Sequence, residues 1–227
     1  ANSSIVKEAE NLGIKIFWSH TVVDTQGYKK LKQISVMELS KNGQSTIGQK
    51  TNINCDCLGL SGGWTPAVHL FTQSGGKLKF RDKDQVFIPD KYQSEQINIG
   101  SCNGEFELDD LIKNSIKNIK NFLNINKTEY ENLSITCSKE TIKKNIWLLP
   151  SDKVTGKTKP FVDYQNDATA KDIKLALREG FRSIEHVKRY TTTGMGTDQG
   201  KLGNMHALGI ISETTDTKMG ALGTTTF

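Results

Sequence analysis

The chain has 227 residues, 35% hydrophobic and 24% charged, with a net charge of +5. That length exceeds one average domain and falls short of two large ones, so one sizeable domain and a smaller one are expected. No apolar run approaches the ~18 to 20 residues of a membrane span, the first residues lack a secretory leader pattern, and the lysines are scattered, with Lys139, Lys143 and Lys144 the nearest to a cluster; a soluble cytoplasmic protein without a membrane or nucleic-acid partner is expected.

In chain order, Ile5, Ala9 and Leu12 mark a short helix stopped by Gly13, and residues 14–17 then read as a strand. Val22 and Val23 lead into a turn at 24–27, and Leu31, Ile34, Val36, Met37 and Leu39 point to hairpin strands ending at 41–43. Residues 53–60 read as an apolar strand running into Ser61-Gly62-Gly63-Trp64-Thr65-Pro66, with Pro66 opening a helix over 68–72. Residues 77–80 and 86–89 are short extended pieces, and 97–100 is a further strand. Leu108, Leu111, Ile112, Ile116, Ile119 and Leu123 recur at three- and four-residue steps, which predicts a long helix with one face on a sheet. Strands interleaved with helices argue an α/β fold with an open sheet.

Residues 124–159 read as a linker around one apolar patch, Ile146-Trp147-Leu148-Leu149. From 160 the pattern is helical. A helix over 169–179 opens on Thr-x-x-Asp and ends at Gly180, a second runs from Ser183 to Tyr190, and a third from Met205 to Ser212 follows a glycine-punctuated loop over 193–203. The chain lacks an initial methionine and stops inside a Gly/Thr-rich run, so it reads as a piece of a longer polypeptide.

Cys55, Cys57, Cys102 and Cys137 are too few for a disulfide scaffold, and Cys-x-Cys lacks the spacer of zinc knuckles, so reduced structural thiols and no metal site are expected. His20, His69, His186 and His206 have no metal-type spacing and no evident nucleophilic partner. The strand 97–100 followed by Ser101-Cys102-Asn103-Gly104 and a helix is a place where outward amides and a helix N-terminus can meet a diphosphate. Without a Gly-x-Gly-x-x-Gly fingerprint, an ordinary glycine turn stands beside that reading.

The run Cys55 to Pro66 together with the turn Gly100 to Leu108 is similar to the C-terminal half of the dinucleotide-binding domain of heterotetrameric sarcosine oxidase alpha subunits. Residues 161–173 and 185–201 closely resemble the small helical domain of the same subunits. The resemblance implies an NAD in this subunit, met by Gly100, Ser101, Asn103, Gly104, Phe106 and Leu108. It also relates the helical module to ferredoxin-like domains whose two-iron cluster is held by four cysteines. Those positions are Asp163, Gln165, Asp198 and Gly203 here, so no iron-sulfur cluster is expected. Lys188, Arg189, Thr191, Thr192, Gln199 and Lys201 are expected to line an FMN lying between alpha and beta subunits. The competing reading is that Lys188 and Arg189 pair with acidic residues at a subunit interface.

The resemblance therefore divides the chain into a partial dinucleotide-binding domain (1–123), a linker (124–159), a clusterless, all-helical ferredoxin-like module (160–215) and the start of a folate-binding, aminomethyltransferase-like domain (216–227). It implies beta, gamma and delta partner subunits, FAD in the beta subunit, tetrahydrofolate in a downstream domain, and oxidative demethylation of sarcosine with release of peroxide. No catalytic residue is assigned within the chain. An alpha subunit of a related amine or opine dehydrogenase, and a noncatalytic scaffold for a flavoprotein, are the competing readings.

Overall fold

The structure is a computed structural model that describes residues 4–93, 95–125, 135, 145–150, 159–201 and 203–224. Most of the expected linker, Cys137, the lysines at 139–144 and the last three residues lie outside the described residues. Helix α1 (Ser4–Asn11) is followed by a meander of strands β1 (His20–Gly27), β2 (Leu31–Leu39) and β3 (Thr46–Asn54), each antiparallel to its neighbour. The central strand β2 carries most of the burial, with Ile34, Ser35, Val36 and Met37 all shielded, because it has neighbours on both edges. Ile34 faces Thr25 on one side and Ile53 on the other.

A short helix α2 (His69–Gln73) leads into the hairpin β4 (Lys77–Arg81) and β5 (Val86–Lys91). A 3-10 turn (Gly100–Asn103) then precedes the long helix α3 (Leu108–Leu123). After the linker come a second small hairpin, β6 (Phe161–Asp163) with β7 (Ala168–Thr169), and helices α4 (Ala170–Arg178), α5 (Ile184–Thr191), α6 (Asn204–Thr215) and α7 (Met219–Leu222). Helix α4 opens on a reciprocal capping box: Thr169 accepts from the Asp172 amide while the Asp172 carboxylate accepts from the Thr169 amide. Two otherwise orphaned donors are thereby satisfied.

The main hydrophobic core belongs to the C-terminal helices. Ile173, Ala176 and Leu177 of α4, Ile184 and Val187 of α5 and Ala207, Leu208, Ile210 and Ile211 of α6 form it, joined by Met219 of α7. Two contributions come from far away in sequence: Phe87 of β5 and Trp147 of the expected linker. Trp147 packs so closely on α6 that a Cβ at Gly209 would fall 2.1 Å from its ring, so glycine there is a packing requirement.

The chain is thus a mixed α/β protein, and its sheets differ from the expected open one. Every strand pairing among the described residues is antiparallel. Residues 14–17 and 97–99 form no ladder, the expected strand at 53–60 ends at Asn54, and the module from 160 carries the hairpin β6–β7 and so is not wholly helical. Short apolar runs become strands only where another strand lies alongside to take their amides and carbonyls. The first helix of the 60s also starts later, at His69, leaving Pro66 outside it. Helix α3 forms over the expected residues, yet none of them is fully buried, and Leu108, Ile119 and Leu123 stay exposed.

Candidate cofactor-binding cleft

Where the hairpin β4–β5 meets α5 and α6, a cleft of about 760 Å³ counting its open mouth is lined from both halves of the chain. Its floor is apolar: Leu78 and Phe87 from the hairpin, Ile184 and Val187 from α5, Ala207 and Leu208 from α6. Pro66, Val68, His69, Lys188, Thr193, Gly200, Lys201 and Asn204 complete the lining. A predominantly apolar concavity is a common form of ligand site.

Part of the lining comes from a tight loop. Thr192 caps α5 in the left-handed region, and Gly194 and Gly200, both at positive φ, bring the loop back to the start of α6. These two glycines clasp the Asn204 amide, since a Cβ on either would fall within 2.3 Å of its atoms. The amide nitrogen Nδ2 is shut from solvent and finds no acceptor among the described residues. Nearby, burial and then the charge of Lys201 both push the His69 imidazole below its ordinary pKa, so it is neutral at pH 7.

Asp163 pins the loop from behind. Only 5% exposed, its carboxylate accepts from the amides of Gln165 (2.8 Å), Asn166 (3.0 Å) and Gly194 (2.7 Å) and from Asn166 Nδ2 (3.2 Å). Burial alone raises its pKa, but these donors outweigh it and hold the group below the usual carboxylate value. Gln165 Oε1 accepts from Thr197 Oγ1 (2.9 Å) and the Asp198 amide (3.4 Å), and Gly203 packs on the Val162 carbonyl, where a Cβ would fall 2.6 Å from the oxygen. The four positions that the resemblance aligns with cluster cysteines therefore do converge on one loop, tied there by hydrogen bonds and close packing. Among the described residues no group of three or more His, Cys, Asp or Glu side chains is placed to hold a metal ion.

Residues 157–227 match the family described as the sarcosine oxidase A3 domain. The chain is similar to sarcosine oxidase alpha subunits over nearly its whole length. The alpha subunit of Corynebacterium sp. (strain P-1) is 31% identical over an alignment of 237 residues that takes in 99% of this chain and 24% of the relative. That of Rhizobium meliloti (strain 1021) is 32% identical over 212 residues, 88% of this chain and 20% of the relative. The chain thus spans about a quarter of the length of the curated relatives it matches. Among solved structures, the L-proline dehydrogenase from P. horikoshii superposes with a TM-score of 0.54 at 18% identity, over 97% of this chain and 44% of that one, a likeness of fold alone.

The A3-matching part supplies α5, α6 and the loop between them, and there the expected flavin-facing residues separate into two groups. Lys188 and Lys201 line the cleft. Thr191 is buried, its hydroxyl donating to the Val187 carbonyl and meeting Thr193 Oγ1, so its role is structural. Thr192 donates to the Thr191 carbonyl and accepts Asn166 at its own, Gln199 is exposed at a φ of 50°, and Arg189 is exposed 3.9 Å from Glu185. The cleft residues that sequence patterns missed are His69 and Asn204. Gly194 and Gly200 in a short loop were the available hint for Asn204, whereas His69 carried none.

The other expected set does not join the cleft. Gly100 packs on Leu111, and Gly104 is covered by Arg81 and Ile88, its carbonyl accepting from Arg81, which also pairs with Asp84. Glu105 and Glu107 precede α3, and Asp109 and Asp110 fill its first turn. Carboxylates already occupy the positive end of that helix. Ser101 and Leu108 are exposed, and Asn103 and Phe106 are half-buried.

Proposed function

We propose that this chain is the cofactor-holding part of the alpha subunit of a flavin-dependent amine oxidoreductase of the sarcosine oxidase type. The observation that carries the reading is that Lys188 and Lys201, in the stretch matching the A3 domain, line an apolar cleft. The apolar floor suits the isoalloxazine ring of a flavin, and Lys188 and Lys201 are the cationic residues of the lining. A flavin bound there would supply electron transfer, with FMN the form the resemblance implies and FAD the partner cofactor of a beta subunit.

The protein groups have simpler tasks. Leu78, Phe87, Val187 and Leu208 exclude water from one face of the ligand, the two lysines orient its charged end, and Asp163 holds the loop that carries one of them. The overall reaction in this reading is oxidation of sarcosine to glycine with peroxide formation, the released one-carbon unit being trapped by tetrahydrofolate on a downstream domain. Beta, gamma and delta subunits are the proposed partners and the cytoplasm the proposed setting. An NAD at the turn Gly100 to Leu108 belongs to the same proposal. With acidic residues around the start of α3, it would be held through ribose hydroxyls and main-chain groups rather than its phosphates.

The test is sarcosine-dependent peroxide formation by the complete alpha chain co-expressed with its neighbouring subunits, with and without tetrahydrofolate. Peroxide with sarcosine is the expected result. A complex that carries flavin, ignores oxygen and passes electrons from an amine to an artificial acceptor would replace the oxidase reading with a dehydrogenase.

A further inference from the structure

We propose that Cys55 and Cys57 are a redox-active thiol pair, which closes to a disulfide when hydrogen peroxide is present and reopens with a thiol reductant. Only the source of the peroxide rests on the oxidase reading above; the pair itself rests on its exposure and its place in the fold.

The first argument is exposure. Cysteine is among the most buried residue types, and a thiol that serves packing sits in a core. Cys57 is exposed and Cys55 half-buried, both are free, and neither belongs to the hydrophobic core. Reactive thiols are found at such accessible positions, whereas structural ones are shielded. Cys102 is also free, but it is half-buried in the 3-10 turn and has no second cysteine near it in sequence.

The second argument is the backbone. Strand β3 ends at Asn54, and Cys55 is held beside the sheet by its amide, which donates to the Lys32 carbonyl at 3.1 Å. The chain then bends at Asp56, and Cys57 lies beyond the ladder. Two residues of fully extended chain span ~6.6 to 7.2 Å, at the upper limit of the ~4.4 to 6.8 Å between the Cα atoms of a disulfide, and a bend shortens that span into the range. One thiol is thus anchored and the other is able to come to it. The ring that closes is small and strained, and strained or exposed disulfides are the easily reduced ones, so the closure is reversible.

The chemistry follows from the difference between the two thiols. The sulfur of Cys57, the more accessible, attacks one oxygen of hydrogen peroxide as the thiolate. An S–O bond forms, the O–O bond breaks, and the departing hydroxide takes up the thiol's proton to become water. Cys57 is then a sulfenic acid. The sulfur of Cys55 attacks it, the S–S bond forms, the S–O bond breaks, and the oxygen leaves with the second proton as water. Two thiols have lost two electrons and two protons, and one peroxide has become two waters. Cys55 also protects its neighbour, because it consumes the sulfenic acid before a second peroxide can carry Cys57 to the irreversible sulfinic acid.

The test uses the complete alpha chain co-expressed with its partner subunits, reduced and then freed of reductant. Hydrogen peroxide is added, the remaining thiols are alkylated with iodoacetamide, and the tryptic peptide 51–77, which carries both cysteines, is followed by mass spectrometry. The expected result is loss of alkylation at Cys55 and Cys57 together, with two hydrogens gone from the peptide, Cys102 still alkylated, and full recovery after dithiothreitol. Sarcosine in air should do the same, and catalase should prevent it. In Cys55→Ser the same peroxide should carry Cys57 to sulfinic acid, which dithiothreitol does not reverse. Closure with added peroxide but not with sarcosine would keep the thiol pair and count against the oxidase reading. Peroxide that leaves both thiols open to alkylation, joins either of them to Cys102, or takes Cys57 to sulfinic acid while Cys55 stays alkylatable would overturn the pair.

Discussion

Replacing Asp163 tests the support of the cleft most directly. The carboxylate accepts four hydrogen bonds, of which the one from the Gly194 amide crosses 31 residues and is buried. In Asp163→Ala the amides of Gln165 and Asn166 can turn to water because those residues are exposed, but the Gly194 amide is left without an acceptor. One orphaned buried donor at ~1 to 3 kcal/mol, plus the loss of charge-assisted bonds, gives an expected destabilisation of about 3 kcal/mol. Asp163→Asn should cost nearly as much, about 2 kcal/mol, because its new NH2 would face the donors on Gly194 or Asn166 instead of accepting from them. Urea denaturation gives the stability, and hydrogen exchange of the peptide over 191–200 locates the effect. The expected result is faster exchange at Gly194 in both variants. Unchanged exchange at Gly194 in Asp163→Ala would refute the view that this carboxylate holds the loop.

Three further outcomes follow from other contacts. Gly209→Ala should gain ~1 kcal/mol of helix propensity and lose more to the collision with Trp147, for a net destabilisation of about 2 kcal/mol by urea midpoint; Gly209→Ala combined with Trp147→Leu should be less unstable than the two losses added. Because the folded protein holds the His69 pKa below its unfolded value of 6.5, the native state binds fewer protons, so stability is complete above that value and declines as the pH falls through it toward the folded pKa. His69→Gln should flatten the urea midpoint between pH 7.5 and pH 5.5 relative to the parent, on the order of one titrating group's contribution. Thr169→Ala should cost ~1 kcal/mol through loss of the capping box, read as a lower thermal midpoint.

Much of the local structure was legible in the residues. The Thr-x-x-Asp start of α4, the three- and four-residue steps of α3 and the alternation along β2 are properties of a few neighbouring side chains, and local physics was enough to place them. The loop between α5 and α6 was legible for the same reason, since its glycines sit where positive φ is needed. The motif residues from Phe161 to Lys201 also carried the kinship with sarcosine oxidase alpha subunits, which the comparisons bear out.

Tertiary structure decided what lay beyond one element's reach. Residues 97–99 have the composition of a strand and no ladder, because pairing depends on what lies alongside and not on the residues themselves. Lys188 and Arg189 are adjacent in sequence, yet the helix turn leaves Lys188 lining the cleft and Arg189 3.9 Å from Glu185. Phe87 and Trp147 enter a core of helices that follow them in the chain, and by doing so they bring the β4–β5 hairpin and His69 against Lys201. No periodicity records such a meeting, because it arises from the burial of apolar faces that are distant in sequence. The pattern of residues determined which helices would form and which loop would turn, and the packing of the hairpin on those helices decided where a cleft would open and which charges would stand beside it.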